Sequence, residues 1–306
     1  MSTRGSVIDI KESTLHRTGA LLDILLRDQT TKKNIIWAID SYTKYGEGFA
    51  PNEHITTELI TGDYCNLIQP RAAKSLQEQR YRTKEKAEVF TPLKVVEQMN
   101  KALETKTPNK DTWQAYVREN RLEITCGEAP FIVSRYNPTA HTDKIIAIKN
   151  RVGFLDRKLW VVSKYCDTPK EWLYWAKEAF KASYGYEWQG DNVLLARENL
   201  LFTLIDYYED RFGKKPSLKI KEEFAEIISW NIFQMDGLRY VVPMSCKHES
   251  KTIPGEWTLF EVMPDKVEEY ECEGCKHNRP HKHNGKYVKI MDWEKNKPVR
   301  FVDLLS

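Results

Sequence analysis

Three carboxylates stand where short apolar stretches give way to turns. They are Glu123 in "LEITCGEAPF", Glu187 in "YGYEW" and Asp236 in "WNIFQMDGL". A carboxylate at the end of a buried strand needs a partner, because an uncompensated buried charge is costly. In a parallel sheet, such an acid accepts hydrogen bonds from a ribose or an amino group, and a glycine turn lets the backbone approach the ligand. Any one of them, Asp236 above all, could be a solvated turn acid, but three at strand ends favour a ligand site.

Cysteine and histidine residues concentrate in the last quarter of the chain. "SCKHES" supplies Cys246 and His248, and "CEGCKHNRPHKH" supplies Cys272 and Cys275. A C-x-x-C pair with a Cys/His pair upstream has the spacing of a structural zinc site, in which four nitrogen or sulfur ligands form a tetrahedron. We therefore predict a zinc site at these four residues, with the fourth ligand left open because three more histidines follow. The alternative is a reduced, metal-free loop; a redox motif is disfavoured, because the C-x-x-C does not open a βαβ unit.

Between residues 88 and 240, predicted strands alternate with predicted helices. "DTPKEWLYWAKEAFKAS" carries a capping box that begins at Thr168, followed by apolar residues at helical spacing. Two further helices are predicted, one ending at Gly213 and one starting at Ser217. Strands are predicted at "LEIT", "YEW" and "WNIFQ", and this order is typical of a doubly wound parallel sheet, which binds ligands beyond the carboxyl ends of its strands. A dinucleotide oxidoreductase is the second interpretation, but G-x-G-x-x-G is absent.

Local signals predict further details of these elements. Cys126-Gly127 indicates a tight turn, and Pro130 suits the first turn of a helix. Gly185 is expected to end the helix that precedes "YEW". Nearer the N-terminus, "TGALLDILLRD" predicts a helix and "NIIWAI" a short strand.

The chain divides by these patterns into four parts. Residues 1–87 form an N-terminal mixed α/β extension with a basic linker, and residues 88–240 form the main α/β domain. Residues 241–290 form a Cys/His-rich insertion, and residues 291–306 a C-terminal segment.

Composition narrows the protein class without selecting a partner. The 306 residues suit one large domain or two modest ones, and 47 basic against 44 acidic residues give a net charge of +3. Only the last three of the six cysteines lie close together, which argues against a secreted disulfide framework. The N-terminus lacks an apolar run of signal-peptide type, and no stretch approaches about 18 apolar residues. We expect a cytoplasmic protein with no membrane partner.

Residues 70 to 88 form a strongly charged segment, "PRAAKSLQEQRYRTKEKAE". Its basic residues are Arg71, Lys74, Arg80, Arg82, Lys84 and Lys86. The segment is either a solvated linker or helix face, or a contact with a polyanion such as duplex DNA. Charge alone favours the solvated interpretation.

Four motifs resemble, in sequence and in order, those of the adenine-N6 DNA methyltransferases. They are "KEKAEVFTPLKVVEQMN", "LEITCGEAPFIVSRYN", "YGYEWQGDNVLLARENLL" and "WNIFQMDGL". The chain is most similar to the group labelled restriction endonuclease subunit M, and the resemblance extends to "LLDILLRDQTTKKNIIWA" and "IQPRAAKS" near the start. It implies a Rossmann-like, S-adenosylmethionine-dependent methyltransferase sheet, with S-adenosylmethionine as cofactor and duplex DNA as partner.

The resemblance also implies a cofactor-binding role for ten residues. They are Phe90, Thr91, Pro92, Glu123, Cys126, Gly127, Glu187, Trp188, Asp236 and Leu238. By this resemblance, Phe90, Thr91 and Pro92 hold the amino-acid part of the cofactor, and Glu123, Cys126 and Gly127 belong to the first glycine-rich motif. Glu187 binds the ribose hydroxyls, and Trp188 lies beside the adenine. Asp236 meets the adenine amino group, with Leu238 nearby.

The chain departs from the family pattern in three places. Ala129 replaces the last glycine of the first motif, and the 64-residue separation of Glu123 and Glu187 implies an insertion, placed at residues 137–166. The family's catalytic Asn-Pro-Pro-Tyr type tetrapeptide is absent, since "YNPTAH" has only one proline and follows the wrong strand. "KPVRFVDLLS" stands where the catalytic strand is expected to begin.

No catalytic residue is therefore assigned. We expect a cofactor-binding part of a restriction–modification methyltransferase that needs a second polypeptide or segment for the catalytic loop, with a restriction endonuclease as another possible partner. The alternative is a non-catalytic methyltransferase-like module that binds DNA or protein.

Overall fold

The computed structural model describes residues 19–86, 88–104, 108–140, 144–253 and 266–305. Residues 1–18 of the predicted extension, residues 141–143 of the predicted insertion, residues 254–265 of the Cys/His-rich segment and Ser306 lie outside this part. The α-helices are α1 Gly19–Leu26, α2 Leu76–Lys86, α3 Leu93–Ala102, α4 Trp113–Arg118, α5 Phe154–Tyr165, α6 Pro169–Lys181, α7 Gly190–Phe212, α8 Leu218–Asn231 and α9 Glu273–His277. The strands are β1 Arg121–Glu123, β2 Ser183–Glu187, β3 Ile232–Gln234, β4 Glu249–Ile253, β5 Lys266–Tyr270, β6 Lys289–Asp292 and β7 Lys297–Arg300. Short 3-10 helices lie at Thr43–Tyr45, Thr57–Ile60, Gly62–Tyr64, Arg71–Ala73, Ile148–Asn150 and Phe301–Leu304.

A parallel sheet of β1, β2 and β3 organises the chain, with β2 in the middle. Helices α5 and α6 connect β1 to β2, and α7 and α8 connect β2 to β3. Leu122 is in register with Tyr184, and Tyr186 with Phe233. The predicted α/β organisation around a parallel sheet is thus confirmed, with three parallel strands in the described part of the chain. Because the strands are parallel, their carboxyl ends meet at one edge.

The helix ends follow the local signals in the sequence. Thr168 caps α6 by accepting a hydrogen bond from the Glu171 N–H, and Ser217 caps α8 in the same way. Gly213 ends α7 in the left-handed conformation, with φ 67°. These capping residues were predicted from sequence, and the structure confirms them.

Other local predictions are wrong, and tertiary contacts explain why. Pro130 begins no helix; instead, the carbonyls of Phe131 and Ile132 accept hydrogen bonds from residues 154 and 155 at the start of α5. Gly185 does not end a helix but lies inside β2, where a Cβ atom would approach the Cys126 Sγ to 3.1 Å. Helix α8 continues to Asn231, so the predicted "WNIFQ" strand is shortened to Ile232–Gln234.

The described N-terminal residues belong to the main core. Leu21, Leu22, Leu25 and Leu26 of α1 are buried in one hydrophobic cluster with residues of α5, α6, α7 and α8. The predicted "NIIWAI" strand forms only isolated bridges, because the Gln234 side chain bonds both the N–H (2.9 Å) and the C=O (2.8 Å) of Ile36.

The other face of the sheet is covered by the C-terminal hairpin of β6 and β7. Tyr186 and Phe233 pack there against Val288, Ile290 and Phe301. No helix in the described ranges is both long enough and apolar enough to cross a membrane.

Candidate cofactor pocket and metal centre

A cavity of about 410 Å³ opens at the carboxyl ends of β1 and β2. The predicted cofactor residues in its wall are Phe90, Thr91, Glu123, Cys126, Gly127, Glu187 and Trp188. The structure therefore brings together, around one cavity, seven residues from three separate sequence motifs.

The loop after β1 has an unusual backbone. Thr125, Gly127 and Ala129 all have positive φ angles, of 45°, 53° and 63°. At Gly127 a Cβ atom would lie 3.3 Å from the Phe90 ring, so a side chain there would press on that wall of the pocket. The left-handed conformation at position 129 explains why a glycine is expected there. Ala129 adopts the same conformation at a cost of about 1–2 kcal/mol.

Glu123 and Glu187 are both buried, and backbone N–H groups are their hydrogen-bond donors. Glu123 accepts from Phe131 (3.3 Å) and Ile132 (3.1 Å). Burial raises the pKa of Glu123 well above its usual range. The two hydrogen bonds lower this pKa and the nearby Glu187 raises it, but both contributions are smaller than that of burial. Among the described residues it forms no ion pair, so a cationic ligand would favour its charged form.

Glu187 joins the ends of the two strands. Its Oε2 accepts from the Gly127 N–H at 2.9 Å, and its Oε1 accepts from the N–H groups of Trp188 (2.9 Å) and Gln189 (3.1 Å). Burial raises the pKa of Glu187 despite these three bonds. Since Oε1 already receives two donors and Oε2 only one, Oε2 keeps a lone pair for a ligand hydroxyl.

Two further acceptor atoms were not identified by sequence reasoning. Asn192 Oδ1 and Glu88 Oε1 are buried without a hydrogen-bond partner, and both residues line the cavity. Arg71 Nη1 lies 3.8 Å from Glu88 Oε1, which is an ion-pair distance but not a hydrogen bond. With Glu123 and Glu187, they give the wall an excess of acceptors, which suits a ligand that donates hydrogen bonds or carries positive charge.

Three predicted cofactor residues lie outside this wall. Pro92 is the residue that precedes α3. Asp236 accepts from the N–H groups of Leu238 (3.0 Å) and Arg239 (3.1 Å) in the turn after β3. Leu238 is 83% exposed at the tip of that turn.

Helix α2 in the charged segment is mostly exposed, as the solvated interpretation predicts, but its Gln79 and Arg82 are buried. Arg82 is 2% exposed and pairs with Glu88, and its Nη2 lies 2.7 Å from Asp191 and 3.0 Å from Gln189 Oε1. Burial alone would lower the pKa of Arg82, but the two carboxylates outweigh it and raise the pKa. Arg82 is therefore unavailable to a phosphate, and Lys86 pairs with Asp40. Contact of the other basic residues of this segment with a polyanion stays a prediction.

The candidate metal site consists of Cys246, Cys272, Cys275 and His283, whose sulfur and imidazole nitrogen atoms all lie within 4.8 Å of one another. His283 Nδ1 is nearly equidistant from the three sulfurs, at 3.7, 3.8 and 3.6 Å. A tetrahedral ion with bonds of about 2.3 Å to sulfur and 2.0–2.1 Å to nitrogen gives an N–S separation of about 3.6 Å. The cluster could hold a metal ion.

His283 takes the place predicted for His248, which is exposed and outside the cluster. The reason is the pairing of the two segments, since the Asn284 side chain bonds both the N–H and the C=O of Lys247. At Gly274 a Cβ atom would lie 2.5 Å from the backbone nitrogen of His283, so only glycine permits this close approach of the two segments. Burial opposes ionisation of the Cys272 thiol, but backbone N–H groups, led by Asn284, outweigh it and lower its pKa.

Searches with this chain found no matching protein-family model, no matching curated protein and no matching solved structure.

The buried Arg82 network generates a stability prediction. Arg82→Met should lower the free energy of unfolding at pH 7 by about 3–5 kcal/mol, because it leaves buried carboxylates unpaired. In the wild type, Arg82 holds the pKa of Asp191 below its usual value against the effect of burial, so this carboxyl stabilises the fold above that value. In the variant burial should raise the same pKa, so the deficit should shrink as the pH falls towards 4.5. Urea unfolding at both pH values measures this.

Arg80→Met is the matched control, because Arg80 is exposed on the same helix. It should change the free energy of unfolding by less than about 0.5 kcal/mol. Equal deficits for the two variants at pH 7 would show that the Arg82 network contributes nothing beyond the helix surface.

Proposed function

We propose that this chain is the cofactor-binding part of a DNA adenine-N6 methyltransferase and that it takes S-adenosylmethionine in the pocket at the ends of β1 and β2. The observation that carries the proposal is the pair of buried carboxylates, Glu123 and Glu187, which share one cavity without a cationic partner in the described part of the chain. S-adenosylmethionine offers a sulfonium, an ammonium and two ribose hydroxyls to such a wall.

The residues around the cavity divide the recognition among them. Glu123 favours positive charge, and Glu187 Oε2 retains a lone pair for a hydroxyl. Phe90 and Trp188 supply aromatic surface on the same wall, and the glycine at 127 keeps Phe90 close to the loop. When bound, the cofactor would supply an electrophilic methyl group; these residues bind and orient it and exclude water.

The catalytic loop has to come from elsewhere. The given sequence lacks the tetrapeptide, and within the described residues β1 is an edge strand. The backbone N–H of Arg121 donates to the carbonyl of Ala182, directly before β2. Because backbone groups alternate in direction along a strand, the N–H and C=O of Leu122 point to the open edge. Leu122 is 42% exposed, and Ile124, directly after β1, is 63% exposed. A strand from a second polypeptide or segment could pair here beside the pocket.

We propose zinc as the ion of the Cys3His cluster. Three thiolates and one imidazole are a closed donor set typical of structural zinc, with no position left for a catalytic water. The ion would cross-link Cys246, which follows the turn after β3, to the segment that begins at Cys272, 26 residues further along the chain.

Cofactor binding is the first test of the methyltransferase proposal. Isothermal titration calorimetry should detect S-adenosylmethionine binding to the full chain, and Glu187→Ala should weaken it by about 10- to 100-fold, the value of a hydrogen bond to a charged group. Glu187→Gln keeps an acceptor and checks the role of the charge. Asp210→Ala is the control, because Asp210 is an exposed acid on α7. Unchanged affinity in properly folded Glu187→Ala, or no binding by the wild type, would reject this pocket and favour a non-catalytic module.

Methyl transfer is the second test. Tritiated-methyl transfer to unmethylated genomic DNA should be absent with this chain alone. It should appear when a polypeptide carrying the Asn-Pro-Pro-aromatic loop is added, since the target amine must be held in line with the methyl group. Robust transfer by the single chain would show that another residue positions the amine.

Zinc content is the third test. Protein purified without chelator should contain about one equivalent of zinc by elemental analysis. Cys275→Ser and His283→Ala should lose most of it, whereas His248→Ala should keep it because His248 lies outside the cluster. Less than one equivalent per ten wild-type chains would refute the assignment.

A further inference from the structure

The surface around the Cys3His cluster is strongly basic. Residues 271–289 contain five Lys or Arg residues against two acids, Glu271 and Glu273, in a chain whose net charge is only +3. Lys247 and Arg239, both exposed, add to it from the segment after β3. Thus a part of the chain of fewer than twenty residues carries a charge excess equal to that of the whole protein.

Backbone contacts bring these basic residues around the metal centre. The Lys282 carbonyl accepts from the Gly274 N–H at 2.9 Å, and the Lys286 carbonyl accepts from Val242 at 2.8 Å. The Lys247 N–H donates to the Asn284 side chain at 3.1 Å. The basic residues therefore have fixed backbone positions rather than lying on a loose tail.

Three of the lysines are available for an anionic partner. Lys276, Lys282 and Lys286 are exposed and form no ion pair within the described residues. By contrast, Arg279 pairs with Glu273 at 3.1 Å, and Arg239 is 3.7 Å from Asp236. Unpaired ammonium groups on a rigid surface are the groups that neutralise backbone phosphates.

The segment that carries Cys246 also reaches the rim of the candidate cofactor pocket. Met244, two residues before the ligand Cys246, lines a second cavity of about 330 Å³ together with Lys86, Trp188 and Gln189. Those three residues also line the cofactor pocket, so the two cavities adjoin. The exposed Leu238 lies on the turn between β3 and this surface.

We propose that this surface, centred on Lys276, Lys282 and Lys286, binds the phosphate backbone of duplex DNA and presents the duplex to the pocket. The inference rests on the proposed function for its choice of duplex DNA. It assigns the contact to the metal-centred surface and not to residues 70 to 88, where Arg82 is buried in ion pairs.

Fluorescence anisotropy of the full chain with a labelled 20-base-pair duplex, over a series of salt concentrations, tests the inference. The variant K276Q/K282Q/K286Q should bind at least about tenfold more weakly at low salt, and its salt slope should fall by about 2.7, or 0.9 for each lost contact. K170Q/K214Q/K219Q is the matched control, because it removes three exposed lysines from α6, the α7–α8 loop and α8. It should retain wild-type affinity and slope.

The outcomes separate this inference from the cofactor proposal, because calorimetry with S-adenosylmethionine is done on the same preparations. Selective loss of DNA affinity in the first variant, with cofactor binding intact, supports the inference. The same loss in a chain that does not bind the cofactor supports the surface while rejecting the proposed function. Equal effects of the two variants, no binding of duplex by the wild type, or tighter binding of single-stranded RNA of equal length would overturn it.

Discussion

The hydrogen bond from the Gly127 N–H to the Glu187 carboxylate ties the end of β1 to the end of β2, and the shape of the pocket depends on it. A loop with positive φ at Thr125, Gly127 and Ala129 is costly by itself, since two of these residues carry a Cβ atom. A buried carboxylate is costly as well. The hydrogen bond between them offsets part of both costs, because the loop turns an N–H towards the buried carboxylate and the carboxylate holds the loop in its strained conformation.

This arrangement determines what the pocket can recognise. Three of the four lone-pair positions of Glu187 are accounted for by backbone donors, and Glu123 accepts from two more backbone N–H groups. The carboxylates are therefore fixed in orientation before a ligand arrives, which reduces the ordering cost of binding. The same walls contain buried acceptors without donors at Asn192 and Glu88. An anionic ligand would meet repulsion there, whereas a ligand rich in donors would satisfy atoms that are otherwise unpaired.

The sequence predicted those features whose cause is local. The caps at Thr168 and Ser217 and the stop at Gly213 depend on a few neighbouring residues, and all three are found. The acids at the ends of β1 and β2 were also found, because strand and turn patterns are short-range. The helix predicted at Pro130 does not form because the carbonyls of the two residues after it, Phe131 and Ile132, accept hydrogen bonds from residues 154 and 155, a long-range contact that no helix signal contains. The burial of Arg82 was not predicted for the same kind of reason, since one of its partners, Asp191, lies 109 residues away in the sequence.

The histidine of the Cys3His cluster shows where spacing alone is insufficient. His248 is closer to Cys246 in sequence, but the choice between histidines is made by the pairing of residues 241–247 with residues 283–288, in which Val241 bridges both Asp236 and Tyr287. The two-stranded sheets in this region are short, and such hairpins have little stability of their own. The proposed zinc ion would join four positions of this segment, and Cys246 follows the turn after β3 on a continuous backbone. Order imposed by that ion would be transmitted to the carboxyl edge of the sheet, where the proposed methyl transfer would be sensitive to an alignment error of about 1 Å. The role that we propose for the Cys3His cluster is therefore to position a surface relative to the pocket, and the absence of redox chemistry at zinc suits that role.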